Sequence, residues 1–111
     1  MRYRVQPSGL GGEVAIPGSK SHTIRALVCA LLAEGESVIG SPLDSADTRS
    51  CLAMVRRFGA DVREEGGRWT VTGRGGSLMV PEDVVDTGNS GTSLYMGLGV
   101  AALADGWTVF T

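Results

Sequence analysis

The chain has 111 residues, a formal charge of −2, 20% charged and 42% hydrophobic residues, and 17 glycines. The length suits one domain or part of one. The near-neutral balance argues against a general nucleic-acid binder, and the apolar content argues against a disordered tail. No apolar run approaches the roughly 20 residues of a membrane span; the longest is Ala26 to Ala33. Glycine is well above its average usage of about 7%, without a Gly-X-Y period. Nine of the ten basic residues are arginine, and the single lysine, Lys20, lies in a Gly-Ser-Lys-Ser run. Cys29 and Cys51 sit in apolar helical patterns and are expected as reduced, buried thiols. The start, Met1 to Pro7, lacks the apolar core of a signal peptide, so a cytoplasmic location is expected.

Tyr3–Gln6 and Glu13–Ile16 read as short strands, stopped by Pro7 and by Pro17-Gly18. Ile24, Leu27, Val28, Leu31 and Leu32 form one helical stripe, which Gly35 should end. Ser37–Ile39 reads as a buried strand. A turn at Ser41–Ser45 leads to a second helix, capped by Asp44 or Ser45, with Asp47 in its first turn. Thr48, Cys51, Leu52, Val55 and Phe58 form its stripe, and Gly59 ends it. Asp61–Glu64 and Arg68–Thr72 flank Glu65-Gly66-Gly67 as a hairpin. Leu78–Val80 and Val84–Asp86 are short strand candidates. A third helix should start near Asn89 or Ser90 and run to Ala104. Its Gly91, Gly97 and Gly99 are poor helix formers, so another backbone is expected close against its small face. Trp107–Phe110 reads as a strand. Trp69 and Trp107 are expected in the core.

The sequence repeats when shifted by 71 positions. Leu32-Ala33-Glu34-Gly35 then lies over Leu103-Ala104-Asp105-Gly106, and Ser37-Val38-Ile39 over Thr108-Val109-Phe110. Ser19 lies over Ser90, and Ser21 over Thr92. One unit reads β-α-β-α-β-β, giving an α/β (α+β) class. Repeat units seldom bury their faces alone, so a piece of a longer protein is expected. An unfinished sheet edge at Trp107–Phe110 would invite self-association.

Gly18-Ser19-Lys20-Ser21 lies where a strand hands over to a helix. The first N–H groups of a helix have no internal partner and carry the positive end of its dipole, so an anion binds there. Gly18 permits close approach, Ser19 and Ser21 offer hydroxyls, and Lys20 adds a full charge. Arg25 follows Ser21 by one helical turn, and its planar fork suits phosphate or carboxylate. The pattern is not a P-loop, because Ser19 separates Gly18 from Lys20. On the residues alone, a solvated Lys and Arg beside a helix start remains the competing reading. Gly88-Asn89-Ser90-Gly91-Thr92-Ser93 occupies the matching place in the second unit. It reads either as a second nest of N–H groups or as a simple cap. His22 is expected exposed, and Asp47 is expected to serve its helix start or to orient a nearby arginine.

Pro17-Gly18-Ser19-Lys20-Ser21, Arg25-Ala26-Leu27, Leu43-Asp44-Ser45-Ala46-Asp47-Thr48, Phe58-Gly59-Ala60 and Gly88-Asn89-Ser90-Gly91-Thr92 together resemble the 5-enolpyruvylshikimate-3-phosphate synthase family. The related UDP-N-acetylglucosamine carboxyvinyltransferases usually read Lys-Asn where this chain has Lys20-Ser21. The resemblance implies tandem βαβαββ units of an inside-out α/β barrel. It assigns residues 1–16 to the other domain of the complete protein, and residues 17–111 to the first unit and the opening of the second. It implies transfer of the enolpyruvyl group of phosphoenolpyruvate to the 5-hydroxyl of shikimate 3-phosphate, in chorismate synthesis, with no metal or organic cofactor. Glyphosate competes for the phosphoenolpyruvate site in this family. Lys20 resembles the lysine that contacts both substrates, Ser21 and Arg25 the shikimate 3-phosphate ligands, and Gly91 the glycine against phosphoenolpyruvate. Asn89, Thr92 and Asp47 match as supports. Ser90 stands where Ala is common, and Tyr95 where many members carry Arg. The complete enzyme is expected as a monomer, and this chain alone as inactive, since the second domain's carboxylates and basic residues lie outside it. The alternatives are a non-catalytic anion-binding or structural module, or a related UDP-N-acetylglucosamine carboxyvinyltransferase.

Overall fold

Ser19 accepts a hydrogen bond from the His22 amide and starts α1, Lys20–Leu32. The computed structural model describes residues 1–111. Ile24, Leu27 and Leu31 are fully buried and Val28 nearly so, each worth roughly 1.5–3 kcal/mol when removed from water. Leu32 is only partly buried against this core. The helix ends at Ala33, not at Gly35, which turns the chain two residues later at φ 79°. The amides of Gly73, Arg74 and Gly75 reach back to the carbonyls of Gly35, Leu31 and Ala33. They satisfy acceptors that a helix end leaves open. Residue 73 must be glycine, because a Cβ there would collide with the Ala30 and Ala33 carbonyls.

β1, Glu36–Gly40, follows. It is a half-buried edge strand rather than a buried one, with Val38 60% exposed. α2, Ala46–Arg57, begins at Ser45, where the Ser45 hydroxyl and the Thr48 side chain cap each other's backbone amides. Asp47 in its first turn and Arg56 and Arg57 in its last complement the helix dipole. Thr48, Cys51, Leu52, Met54 and Val55 are buried along it, and Gly59, at φ 99°, turns the chain after Phe58.

β2, Asp61–Glu65, and β3, Arg68–Thr72, form the hairpin. Glu65 pairs with Arg68, so the turn is Gly66-Gly67, both at positive φ. Such a two-residue turn matches the twist of the strands. The sheet is antiparallel in the order β1-β3-β2. Val62, Trp69 and Val71 face the helices from it and complete the core.

α3 spans Gly91–Ala101, capped by Ser90, and stops short of Ala104. The caps Ser19 and Ser90 stand 71 positions apart, the spacing of the repeat. Gly97 packs tightly, since a Cβ there would meet the Met54 sulfur at 2.5 Å and the Phe110 ring at 2.8 Å. Side chains, not a second backbone, crowd this helix, and Gly91 and Gly99 face open space. The strand expected at Trp107–Phe110 reduces to one parallel bridge between Val85 and Phe110. Leu78–Val80 forms no strand.

Residues 1–17 are exposed throughout, and neither Tyr3–Gln6 nor Glu13–Ile16 forms a strand. A strand needs a partner for its N–H and C=O groups, and none lies alongside these segments. Trp107 is 95% exposed rather than in the core. Cys29 is exposed because it points away from the α1 stripe, whereas Cys51 is buried. No helix is long and apolar enough to cross a membrane.

Candidate functional site

The first turns of the three helices meet. The Leu43 amide, in the loop leading to α2, donates to Thr23 Oγ1 on α1. The Ser93 hydroxyl, in the first turn of α3, donates to the Asp47 carbonyl in the first turn of α2 at 3.3 Å. Three helix N-termini therefore share one region, each with unpaired N–H groups and a partial positive charge.

Lys20 stands at this junction. Its Nζ donates to Asp47 Oδ2 at 2.6 Å. The Lys20 side chain is 51% exposed and that of Asp47 28%. The ammonium has three N–H donors; Asp47 takes one, and two remain for a ligand. Asp47 lies in the first turn of α2, where the sequence places it, and its partner is the lysine rather than an arginine.

Ser21 and Arg25 lie exposed on α1. The Arg25 guanidinium donates to the Ser21 carbonyl at 3.1 Å, which keeps the two together on one face. His22 is exposed beside them. Asn89, Gly91 and Thr92 lie exposed at the start of α3, which the Ser93–Asp47 contact ties to α2. Gly88 adopts φ 53° and its amide donates to the Asp86 carboxylate, which turns the chain into this helix start.

Three side chains escaped the sequence reading as site elements. Thr23, Thr48 and Ser93 are buried hydroxyls that tie the three helix starts together. A hydroxyl at a core position of a helical stripe is the signal that could have found them, since a buried polar group must be paired.

A second polar cluster stands apart from Lys20. Arg49 pairs with both Asp44 and Glu64 and lies 5.4 Å from the centre of the Trp69 ring. The Arg49 hydrogen bonds hold the Asp44 carboxyl below its usual range. Burial pushes the Cys51 thiol up to about 12. No three His, Cys, Asp or Glu side chains come together as metal ligands. A surface hollow beside the start of α1 is lined by Gly18, Ser19, His22, Thr23, Ser41 and Pro42, with Lys20 outside it.

Comparison with known proteins follows the same residues. Residues 5–111 match the family described as EPSP synthase (3-phosphoshikimate 1-carboxyvinyltransferase). The 3-phosphoshikimate 1-carboxyvinyltransferase of Acetivibrio thermocellus is 52% identical over the whole chain, which spans 26% of that relative. That of Ruminiclostridium cellulolyticum is 51% identical over the same share. The solved EPSP synthase of Acinetobacter baumannii aligns over 90% of this chain and 23% of its own, with a TM-score of 0.77 and 26% identity. The chain thus spans about a quarter of the length of these relatives. With residues 5–111 matched to the family and relatives about half identical over the whole chain, the chain belongs to the EPSP synthase (3-phosphoshikimate 1-carboxyvinyltransferase) family.

Proposed function

We propose that this chain is the N-terminal part of a transferase that moves the enolpyruvyl group of phosphoenolpyruvate to the 5-hydroxyl of shikimate 3-phosphate, releasing phosphate. The observation that carries this reading is the meeting of three helix starts around the one lysine, at Asp47. Both substrates are multiply charged anions, and such a junction offers N–H groups, a dipole field and a full charge together.

In this reading Lys20 contacts both substrates with the donors that Asp47 leaves free. Asp47 fixes the ammonium where the two anions meet. Ser21 and Arg25 take the phosphate of shikimate 3-phosphate, with a hydroxyl and a planar fork. Gly91 lies against phosphoenolpyruvate. Beyond its own neighbours and helix backbone, nothing lies within 4 Å of the position a Cβ would take there, so the space is open to a ligand. Asn89 and Thr92 support that helix start. Two anions brought close repel each other, and the positive helix ends and Lys20 offset that repulsion. Proton transfer and closure of the site fall to the second domain, to which residues 1–16 belong, while residues 17–111 form the first repeat unit and the opening of the second. The chain alone is then inactive. We assign the enzyme to the cytoplasm, as a monomer without metal or organic cofactor, without nucleic-acid partners. The exposed Trp107 and Val109 make this chain in isolation prone to self-association.

The test is turnover by the full-length enzyme carrying this segment. Replacing Lys20 by Ala should lower kcat/KM for both substrates by at least about a hundredfold, as expected when a preorganised charge is removed. Unchanged turnover and affinity would refute the assigned role.

A further inference from the structure

This inference rests on the reading of Lys20 given above and concerns what sets its position. Two buried hydroxyls grip the backbone of one residue, Leu43, between α1 and α2. Thr23, 4% exposed, donates from Oγ1 to the Ser19 carbonyl at 2.9 Å and accepts from the Leu43 amide at 3.0 Å. Thr48, fully buried, lies 2.7 Å from the Leu43 carbonyl, its shortest contact, and accepts from the Ser45 amide at 2.9 Å. The backbone of Leu43 is therefore held at its N–H from α1 and at its C=O from α2.

We propose that Thr23 is a positioning residue for Lys20: through the Leu43 backbone it sets the spacing between the two helix starts at which Lys20 meets Asp47. Both helices have their own caps in Ser19 and Ser45, so the Thr23 hydroxyl is not needed to start either helix. Its carbonyl acceptor is the residue before Lys20, and its amide donor lies four residues before Asp47. It joins the two segments whose ends form the pair. The repeat supplies a contrast. The position matching Thr23 in α3 is Leu94, which has no hydroxyl; that helix carries no lysine and is tied to α2 by Ser93 instead. A valine at 23 would fill nearly the same volume but leave the Leu43 amide unpaired, and the loop would move to find water.

The experiment uses the full-length enzyme well below its melting temperature and compares Thr23→Val, Thr23→Ser, Asp47→Asn and the Thr23→Val/Asp47→Asn double variant. Thr23→Val should lower kcat/KM roughly ten- to hundredfold, the scale of a small misplacement of a catalytic group, while Thr23→Ser stays near wild type. The double variant should be no worse than Asp47→Asn alone, because both changes act on one pair. If Thr23→Val does not fold, Thr23→Cys, with its weak donor and acceptor, carries the same comparison. Wild-type activity in Thr23→Val, or losses that multiply in the double variant, would overturn the proposal. Lys20→Ala in the same assay separates the two levels: if it is harmless, the reading of the site fails, and if it is damaging while Thr23→Val is not, only the clamp fails.

Discussion

Lys20 and Asp47 stand 27 positions apart in sequence, yet their side chains meet at 2.6 Å across the starts of two helices. Lys20 is exposed and Asp47 half-buried, and a pair this open to solvent contributes only about 0–1 kcal/mol to stability. On the proposed reading the pair sets the position of the lysine rather than the stability of the fold. Asp47→Asn in the full-length enzyme should therefore shift Tm by no more than a few degrees while kcat/KM falls about tenfold or more. Thermal melts and steady-state rates on the same samples check this. A large loss of Tm with a normal rate would make Asp47 a structural residue.

The glycines of α3 separate packing from helix propensity. At Gly97 a Cβ would press on the Met54 sulfur and the Phe110 ring. Gly97→Ala should cost about 1–3 kcal/mol as an overpacked site. At Gly99 there is open space, so Gly99→Ala should gain about 0.5–1 kcal/mol from helix propensity. Urea unfolding of the two variants reads both signs, and equal effects would contradict the packing of α3 on Met54.

The two cysteines should behave oppositely. Cys29 is exposed and Cys51 buried. A thiol reagent at pH 8 should modify one cysteine in the native chain and two in denaturant. Burial holds the Cys51 thiol neutral in the fold up to about 12, against an ordinary 9.0. A raised folded pKa stabilises the fold below the unfolded value and loses that contribution as pH rises from 9.0 toward about 12. Stability should fall across this window, and Cys51→Ala should reduce the slope. An equal slope in the variant would contradict the burial of this thiol.

Much of the fold follows from local rules that the sequence carries openly. The stripes of α1 and α2 bury the residues their spacing selects. Gly66-Gly67 turns the hairpin because both positions need positive φ. The shift of 71 places the caps Ser19 and Ser90 in matching register.

What failed to appear in the sequence depends on partners. Tyr3–Gln6, Glu13–Ile16 and Trp107–Phe110 have strand-like composition, but strand formation is decided by a neighbour that propensity does not supply. Trp107 and Cys29 look like core residues by type and are exposed by direction. Leu98 repeats Leu27 in sequence, yet it is 49% exposed where Leu27 is buried, because no helix covers that face of α3. In the site, Lys20, Ser21 and Arg25 were legible as a group at one helix start. The pairing of Lys20 with Asp47, and the hydroxyls of Thr23, Thr48 and Ser93 behind it, join distant segments and needed the tertiary arrangement.

The most direct measurement of the central claim is the affinity of the full-length enzyme for shikimate 3-phosphate, by calorimetry, in the wild type and in Lys20→Met. Methionine keeps the length and apolar stem of the side chain and removes its charge. A junction of helix starts built around Lys20 should lose at least about tenfold in affinity, equivalent to about 1.4 kcal/mol. Equal affinity in the two proteins would contradict the assignment of these helix starts to anion binding around the lysine.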